Sequence, residues 1–448
     1  MRKNKIINNE VNKNAHTQAN TNRNAGITLI ALVIIIIIII ILASITINFA
    51  FGDNGLINMA EEARDLAANS TDYESNARAN LVSYMNEFIA DLNGGSSGGG
   101  TDEPEDPTPP EPEKSEIEQA RDDGTVSETD TPLKDENDNV VVVPEGFKVA
   151  EDSGDTVQQG IVIEDVSASD DANVQGSQFV WIPVGTLKKD DKTEVEITLG
   201  RYTFDESTGE PHLEQAAYTE SNPTNYESSV VIEDDHSEIA GEHRDGVASN
   251  GKDGLNATAK NLAEFVDSVR TNGGYYIGRY EASFASGTSE NNYKAASKVS
   301  TAHSTSSMSH SKGTLWNFIT QLEASKVAIN TYNGTSVESD LMNSYAWDTA
   351  IVYIQEATGL DYANETSVNS SLTNTGTTSD EVCKINDMAS NLYEWTTEYS
   401  SYSDSSGAYP CTRRGGNCYS SSGYTARRSS NGATSSFDSI GFRLSIYL

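Results

Sequence analysis

The chain has 448 residues, enough for two or three structural units, and its 30 basic against 67 acidic residues give a formal net charge of −37. That balance argues against a nucleic-acid partner, because phosphate affinity comes from Lys and Arg displacing counterions. Cys383, Cys411 and Cys418 are the only cysteines, too few for a disulfide scaffold, and at most one bridge can form among them.

The first 26 residues carry Arg2, Lys3, Lys5, Lys13 and Arg23 against a single Glu10. Ile27 to Ile47 then holds no charge and includes the isoleucine run Ile34 to Ile41. As a helix these residues reach about 31 Å, close to the hydrocarbon thickness of a bilayer, so residues 27–51 are expected to span a membrane. The basic leader predicts a cytoplasmic amino terminus, and everything after Phe51 would lie outside the cell. Leu56, Ile57, Ala60, Ala63, Leu66 and Ala67, then Leu81, Met85, Phe88 and Leu92, recur at helical spacing. They predict an amphipathic stalk helix over 52–93, stopped by Asn93-Gly94-Gly95.

Residues 94–139 read as a disordered linker: Gly/Ser-rich first, then five prolines interleaved with Glu and Asp, then a polar acidic stretch. Within it Asp135, Asn137 and Asn139 alternate like the start of a calcium loop. Val140 stands where the loop needs glycine and Gly146 where it needs glutamate, so a polar turn is the better reading. The acidic surplus would tolerate Ca²⁺, but it defines no ligand set.

A head is expected over 140–448. Val140 to Val143, Gly160 to Ile163 and Phe179 to Val184 read as short strands, and helices are expected around Leu315 to Val327 and Leu341 to Ala357. Trp181, Trp316, Trp347 and Trp395 supply aromatic mass for one mixed core, and the polar stretch from Arg201 to Thr258 reads as a surface insertion. From Tyr399 to Ser439 there are 13 serines and five tyrosines, with very few aliphatic residues. Tyrosine gives large contact area at low entropic cost while small polar residues adapt the hydrogen bonding, as in antibody paratopes. Tyr399, Tyr402, Tyr409, Asn417, Tyr419, Ser421, Tyr424 and Asn431 are therefore the candidate binding residues.

Two resemblances refine this reading. Gly26-Ile27-Thr28-Leu29-Ile30, between a basic leader and an apolar helix, resembles the processing site of type IV prepilins and pseudopilins. The resemblance implies cleavage after Gly26 and methylation of Ile27. It departs at Ala31, where the family usually has glutamate, and this weakens the case for a self-polymerising major pilin. Asp387 to Thr396, Arg414-Gly415-Gly416, Ala426-Arg427-Arg428 and Gly441-Phe442-Arg443-Leu444 resemble, in that order, the formylglycine-generating-enzyme (sulfatase-modifying factor) subgroup of the C-type lectin fold. The segments Phe179 to Val184 and Tyr276 to Ser283 match earlier landmarks, and Ser390 departs from the usual glycine. The implied architecture is α+β: a transmembrane pilin-like helix, a linker and a C-type lectin domain.

The physical role of these motifs is structural. Trp395 would enter the core, the Asn391 amide and Glu394 carboxylate would satisfy nearby backbone groups, and Arg414 or Arg443 would form forked hydrogen bonds to a carboxylate. The copper-thiolate chemistry of the family needs two cysteines five positions apart. Cys418 stands near the first place and Gly423 at the second, so one thiolate remains where Cu(I) prefers two. His16, His212, His236, His243, His303 and His310 lack the spacing of the family's three-histidine iron site. No enzyme activity, catalytic residue, metal or cofactor is expected. The Ser/Tyr segment between scaffold motifs also resembles the variable proteins of diversity-generating retroelements. Together the resemblances imply an adhesin-like, hypervariable binding protein on a bacterial cell membrane, taking an extracellular protein or glycan. The alternative is a structural minor pilin or pseudopilin whose partners are pilus subunits.

Overall fold

The computed structural model describes residues 114–448 except 228–229, 231, 235–236, 242–261, 305, 401 and 421–422. All of them belong to the unit Thr108–Leu448. The expected leader, processing site Gly26/Ile27, membrane span and stalk lie outside the described residues, as does Ser421. The assignment to a membrane as a single-pass protein is corrected: among the described residues no helix is long and apolar enough to cross one.

Ordered structure starts earlier than the expected boundary at 140. Helix α1, Glu116–Asp123, opens with Ser115, whose hydroxyl accepts from the Glu118 amide while the Glu118 carboxylate accepts from the Ser115 amide. This reciprocal cap satisfies two of the donors a helix start leaves unpaired. Strand Thr131–Lys134 then pairs antiparallel with Val140–Val143. Between them Asp135 accepts from the amides of Asn137 (2.8 Å) and Asn139 (2.9 Å) and from Asn139 Nδ2 and Val157 N. The calcium-like spacing is thus a polar turn whose carboxylate is taken up by its own loop.

Two sheets follow. The first runs in the spatial order Glu338–Leu341, Leu444–Tyr447, Gly274–Gly278, Gln178–Pro183, Val162–Asp165, Phe147–Val149, antiparallel throughout. Its central strands are buried on both faces, so Phe179-Val180-Trp181-Ile182 is a continuous apolar run with no polar alternation. The second runs Ile232–Asp234, Ser237–Gly241, Tyr393–Ser400, Cys411–Arg414, Arg428–Asn431, with Ile440–Phe442 parallel to Tyr393–Ser400.

Helix α2, Leu262–Asn272, leads through Gly273 (φ 74°) into strand Gly274–Gly278. Helix α3 is Gln321–Thr331, started by the Thr320/Glu323 capping box. Helix α4, Ser344–Thr358, is capped by Asn343 and ended by Gly359 at φ 72°; it is buried along most of its length. All four tryptophans are buried. The unit is β-rich with few helices, consistent with the C-type lectin-like fold that the motifs implied. The region from Arg201 is not wholly an insertion, because Arg201 is 1% exposed and joins the core network described next.

Candidate functional site

The carboxy-terminal loops rest on two buried charge clusters. In the first, Arg201, Arg414 and Arg428 surround Asp348 of α4 and Glu398 of strand Tyr393–Ser400. Arg414 reaches Asp348 Oδ1 at 2.5 Å and Glu398 Oε2 at 3.1 Å. Arg428 pairs with Asp348 Oδ2 and holds Glu398 Oε1 at 3.0 Å; Arg201 stands 3.6 Å from the same oxygen. Burial works to raise the Glu398 pKa, but Arg428, Arg414 and Arg201 together outweigh it and hold the carboxyl at about 2. Backbone carbonyls of Arg427 and Ala426 accept from Arg414 and that of Tyr202 accepts from Arg428, and the pairs with Asp348 fix the strands to α4.

In the second cluster Arg443 forks onto Glu394, at 2.6 Å and 3.1 Å, and donates to the carbonyls of Gly278 and Asn386. Asn391 Nδ2 donates to Glu281 at 2.6 Å, and its Oδ1 accepts from the Thr373 amide at 3.0 Å. Burial, then Asp387 and Glu394, push the Glu281 pKa well above the usual range. Asn391 sits at φ 60°, a left-handed conformation that asparagine tolerates better than most residues. Arg443 forks onto a carboxylate, Trp395 is buried and Asn391 Oδ1 takes a backbone amide as expected, but the Glu394 carboxylate takes the Arg443 guanidinium where backbone groups were expected.

On this frame the candidate residues divide into two groups at the two ends of the ladder Cys411–Arg414/Arg428–Asn431. At one end, Tyr399 is in register with Cys411, which is in register with Asn431. Tyr402 and Tyr409 flank the small hairpin Ser403–Asp404/Gly407–Ala408, their ring centroids 5.5 Å apart, and the Tyr409 hydroxyl donates to Asp404 at 3.4 Å. At the other end, Asn417 bridges to Ser420 through the backbone, Tyr419 is 54% exposed, and Tyr424 bridges to Thr366. Four strand residues separate the groups, about 10 Å. None of the five tyrosines is buried. Asn417 is buried, and the side-chain oxygens of Asn417 and Asn431 are shielded from solvent with no hydrogen-bond partner among the described residues.

Sequence reasoning missed Arg413. Its guanidinium lies 4.0 Å from the Tyr393 ring centroid, between the two groups. The alternation of a strand carries the signal, since Arg414 points inward and Arg413 must then point outward. It also treated Arg427 and Arg428 alike as scaffold, whereas only Arg428 joins the buried cluster shown above.

The copper chemistry of the resembling family does not fit these residues. A side chain at Gly423 would place its Cβ 3.0 Å from Gly416 Cα and 3.1 Å from the Tyr393 hydroxyl, so a second cysteine has no room without displacement. Cys418 is buried, and burial followed by the charge of Glu281 pushes its thiol up to about 12, away from the thiolate a metal takes. Among the described residues none of the three cysteines forms a disulfide. Among the described residues no group of three His, Cys, Asp or Glu could hold a metal ion.

No family model and no curated protein matches the chain. Among solved structures, CarF is similar at 13% identity and TM-score 0.30, covering 39% of this chain and 87% of that one. PvdO from Pseudomonas aeruginosa is similar at 13% identity and TM-score 0.26, covering 40% and 82%. Treponema denticola variable protein 1 is similar at 11% identity and TM-score 0.31, covering 61% and 97%.

Proposed function

We propose that this chain is a ligand-binding protein whose contact surface is formed by the loops and strand ends between Tyr399 and Asn431. The observation that carries the reading is the contrast between a frame locked by buried ion pairs and five tyrosines that all keep solvent-facing surface upon it. A merely solvated loop has no need of such support. Tyr402, Tyr409, Tyr419 and Tyr424 supply contact area. The ligand class is a protein or a glycan.

The test is capture on paired protein and glycan arrays by the full chain, alongside a variant with Tyr402, Tyr409, Tyr419 and Tyr424 all changed to alanine. Tyr402, Tyr409 and Tyr419 lie outside the core and Tyr424 packs against its edge, so a companion triple variant that keeps Tyr424 should hold the thermal midpoint of the wild type. Loss of capture by more than about ten-fold is expected, as for several interface aromatics. Equal capture by both proteins removes the reading. Hypervariation of this surface is tested on the gene: a neighbouring template repeat that differs only at adenines supports it, and the lack of any such repeat rejects it.

A further inference from the structure

The two faces of the ladder Cys411–Arg414/Arg428–Asn431 treat arginine differently. Arg414 and Arg428 stand opposite one another on the inner face, where Asp348 and Glu398 neutralise them. Arg413, one residue away, is in register with Ser429 on one side and Trp395 on the other, on the opposite face. No hydrogen bond or ion pair from the Arg413 side chain to any described residue exists, and its Nε is shielded from solvent without a partner. In a chain with 67 acidic residues, a half-buried arginine without a carboxylate is a conspicuous exception.

What holds the side chain is stacking. The guanidinium lies over the Tyr393 ring at 4.0 Å, which occupies its flat face and leaves its Nη donors without a partner among the described residues. Burial lowers the Arg413 pKa; Tyr393 opposes this and Arg427 adds to it. An anion seated against Arg413 would neutralise its charge and give its unpartnered Nη donors an acceptor. Carboxylate, sulfate and phosphate all match a guanidinium fork with two parallel hydrogen bonds.

We infer that Arg413 is the anchor for an oxyanion group, a carboxylate or a sulfate or phosphate ester, on the ligand that spans the two tyrosine groups. This inference rests on the reading of those loops as the contact surface. It adds a ligand class: the partner is acidic where it meets the middle of the ladder.

The test uses the full chain labelled with ¹⁵N at arginine and serine. The Arg413 Nε–H resonance, assigned by its loss in Arg413→Gln, is followed during titration with sodium sulfate, sodium phosphate and sodium acetate, each against sodium chloride at equal ionic strength. A saturable shift with at least one oxyanion and none with chloride is expected. The responding probe tells tetrahedral ester from planar carboxylate. The Ser429 amide reports the same midpoint in Arg413→Lys, which keeps the charge and loses the fork; weakening of at least about five-fold is expected there. No saturable shift in the wild type, an equal shift with chloride, or a smaller weakening in Arg413→Lys overturns the inference. If the tyrosine variant loses array capture while Arg413 ignores every oxyanion, the contact surface stands and this inference falls. If capture ignores the tyrosines while Arg413 takes an oxyanion, the contact surface falls and the anion site stands alone.

Discussion

Changing Glu398 to glutamine tests the frame directly. The substitution keeps volume and removes one negative charge from a group of three guanidiniums and two carboxylates, leaving Asp348 alone among Arg201, Arg414 and Arg428. Breaking one partner of a buried pair costs about 3–5 kcal/mol, because the remaining charge stays desolvated. A second route gives a similar figure. The Glu398 carboxyl falls from an ordinary 4.5 to about 2 in the folded chain, and every ten-fold change in proton affinity is worth about 1.4 kcal/mol, so roughly 3 kcal/mol of stability depends on its ionisation. The folded-state value lies below the unfolded one. The stabilisation is therefore complete above about pH 4.5 and disappears as pH falls toward 2. Glu281, Asp380 and Asp387, whose pKa values burial raises, contribute in the opposite sense: they favour the fold at low pH and lose that advantage as pH rises. They are present in both proteins and cancel in the difference. Denaturant unfolding followed by the buried tryptophans should show Glu398→Gln less stable by about 3 kcal/mol near neutral pH, with the gap closing as the buffer approaches pH 2. A gap under about 1 kcal/mol at neutral pH, or one that stays constant on acidification, would refute the assignment of the frame's rigidity to this cluster.

Two other substitutions and one chemical modification probe the surroundings. The turn joining Glu381–Val382 to Ile385–Asn386 places Cys383 at φ 47° and Lys384 at φ 64°, so Lys384→Gly should raise stability by up to about 1 kcal/mol; an unchanged or lower thermal midpoint counts against strain there. Gly160, at φ 95°, faces the same turn, and a Cβ there would lie 2.2 Å from the Cys383 carbonyl oxygen. Gly160→Ala should cost more than about 2 kcal/mol by denaturant unfolding, and a neutral result would show that the turn can move aside. Burial pushes the Cys383 and Cys418 thiols up to about 12, and Cys411 is buried. A disulfide reagent at about pH 8 should therefore modify the native chain slowly and all three thiols quickly after denaturation; fast native modification at Cys418 would contradict its burial.

Much of the fold is legible where a single physical signal dominates. Val140–Val143 is read correctly from its β-branched run, and Gln178–Pro183 lies within one residue of the expected strand. Helix α3 starts at Gln321 and not at Leu315, because Leu315, Trp316 and Ile319 are apolar for reasons of loop packing. The Thr320-x-x-Glu323 capping box marks the true start and is visible in the sequence. Ser115-x-x-Glu118 gives the same signal for α1. There the signal stands alone: α1 buries only Ile117, so no apolar period contradicts a disordered reading.

The site is less legible, for a reason that two pairs of arginines make plain. Arg413 and Arg414 are neighbours in one strand, where alternation alone sends them to opposite faces, while Arg428 opens the next strand and Arg427 precedes it. Which of them turns inward depends on where Asp348 and Glu398 lie. Asp348 is 66 residues before Arg414, on a helix whose face toward the sheet no local pattern reveals. Register then decides everything at once: with Arg414 and Arg428 inside, the ladder is pinned to α4 and Arg413 is left outside on Tyr393. Shifting either strand by one residue would exchange the faces, turning the arginine that now pairs with the carboxylates away from them. The same ion pairs that fix the frame thus also select which arginine is left without a carboxylate.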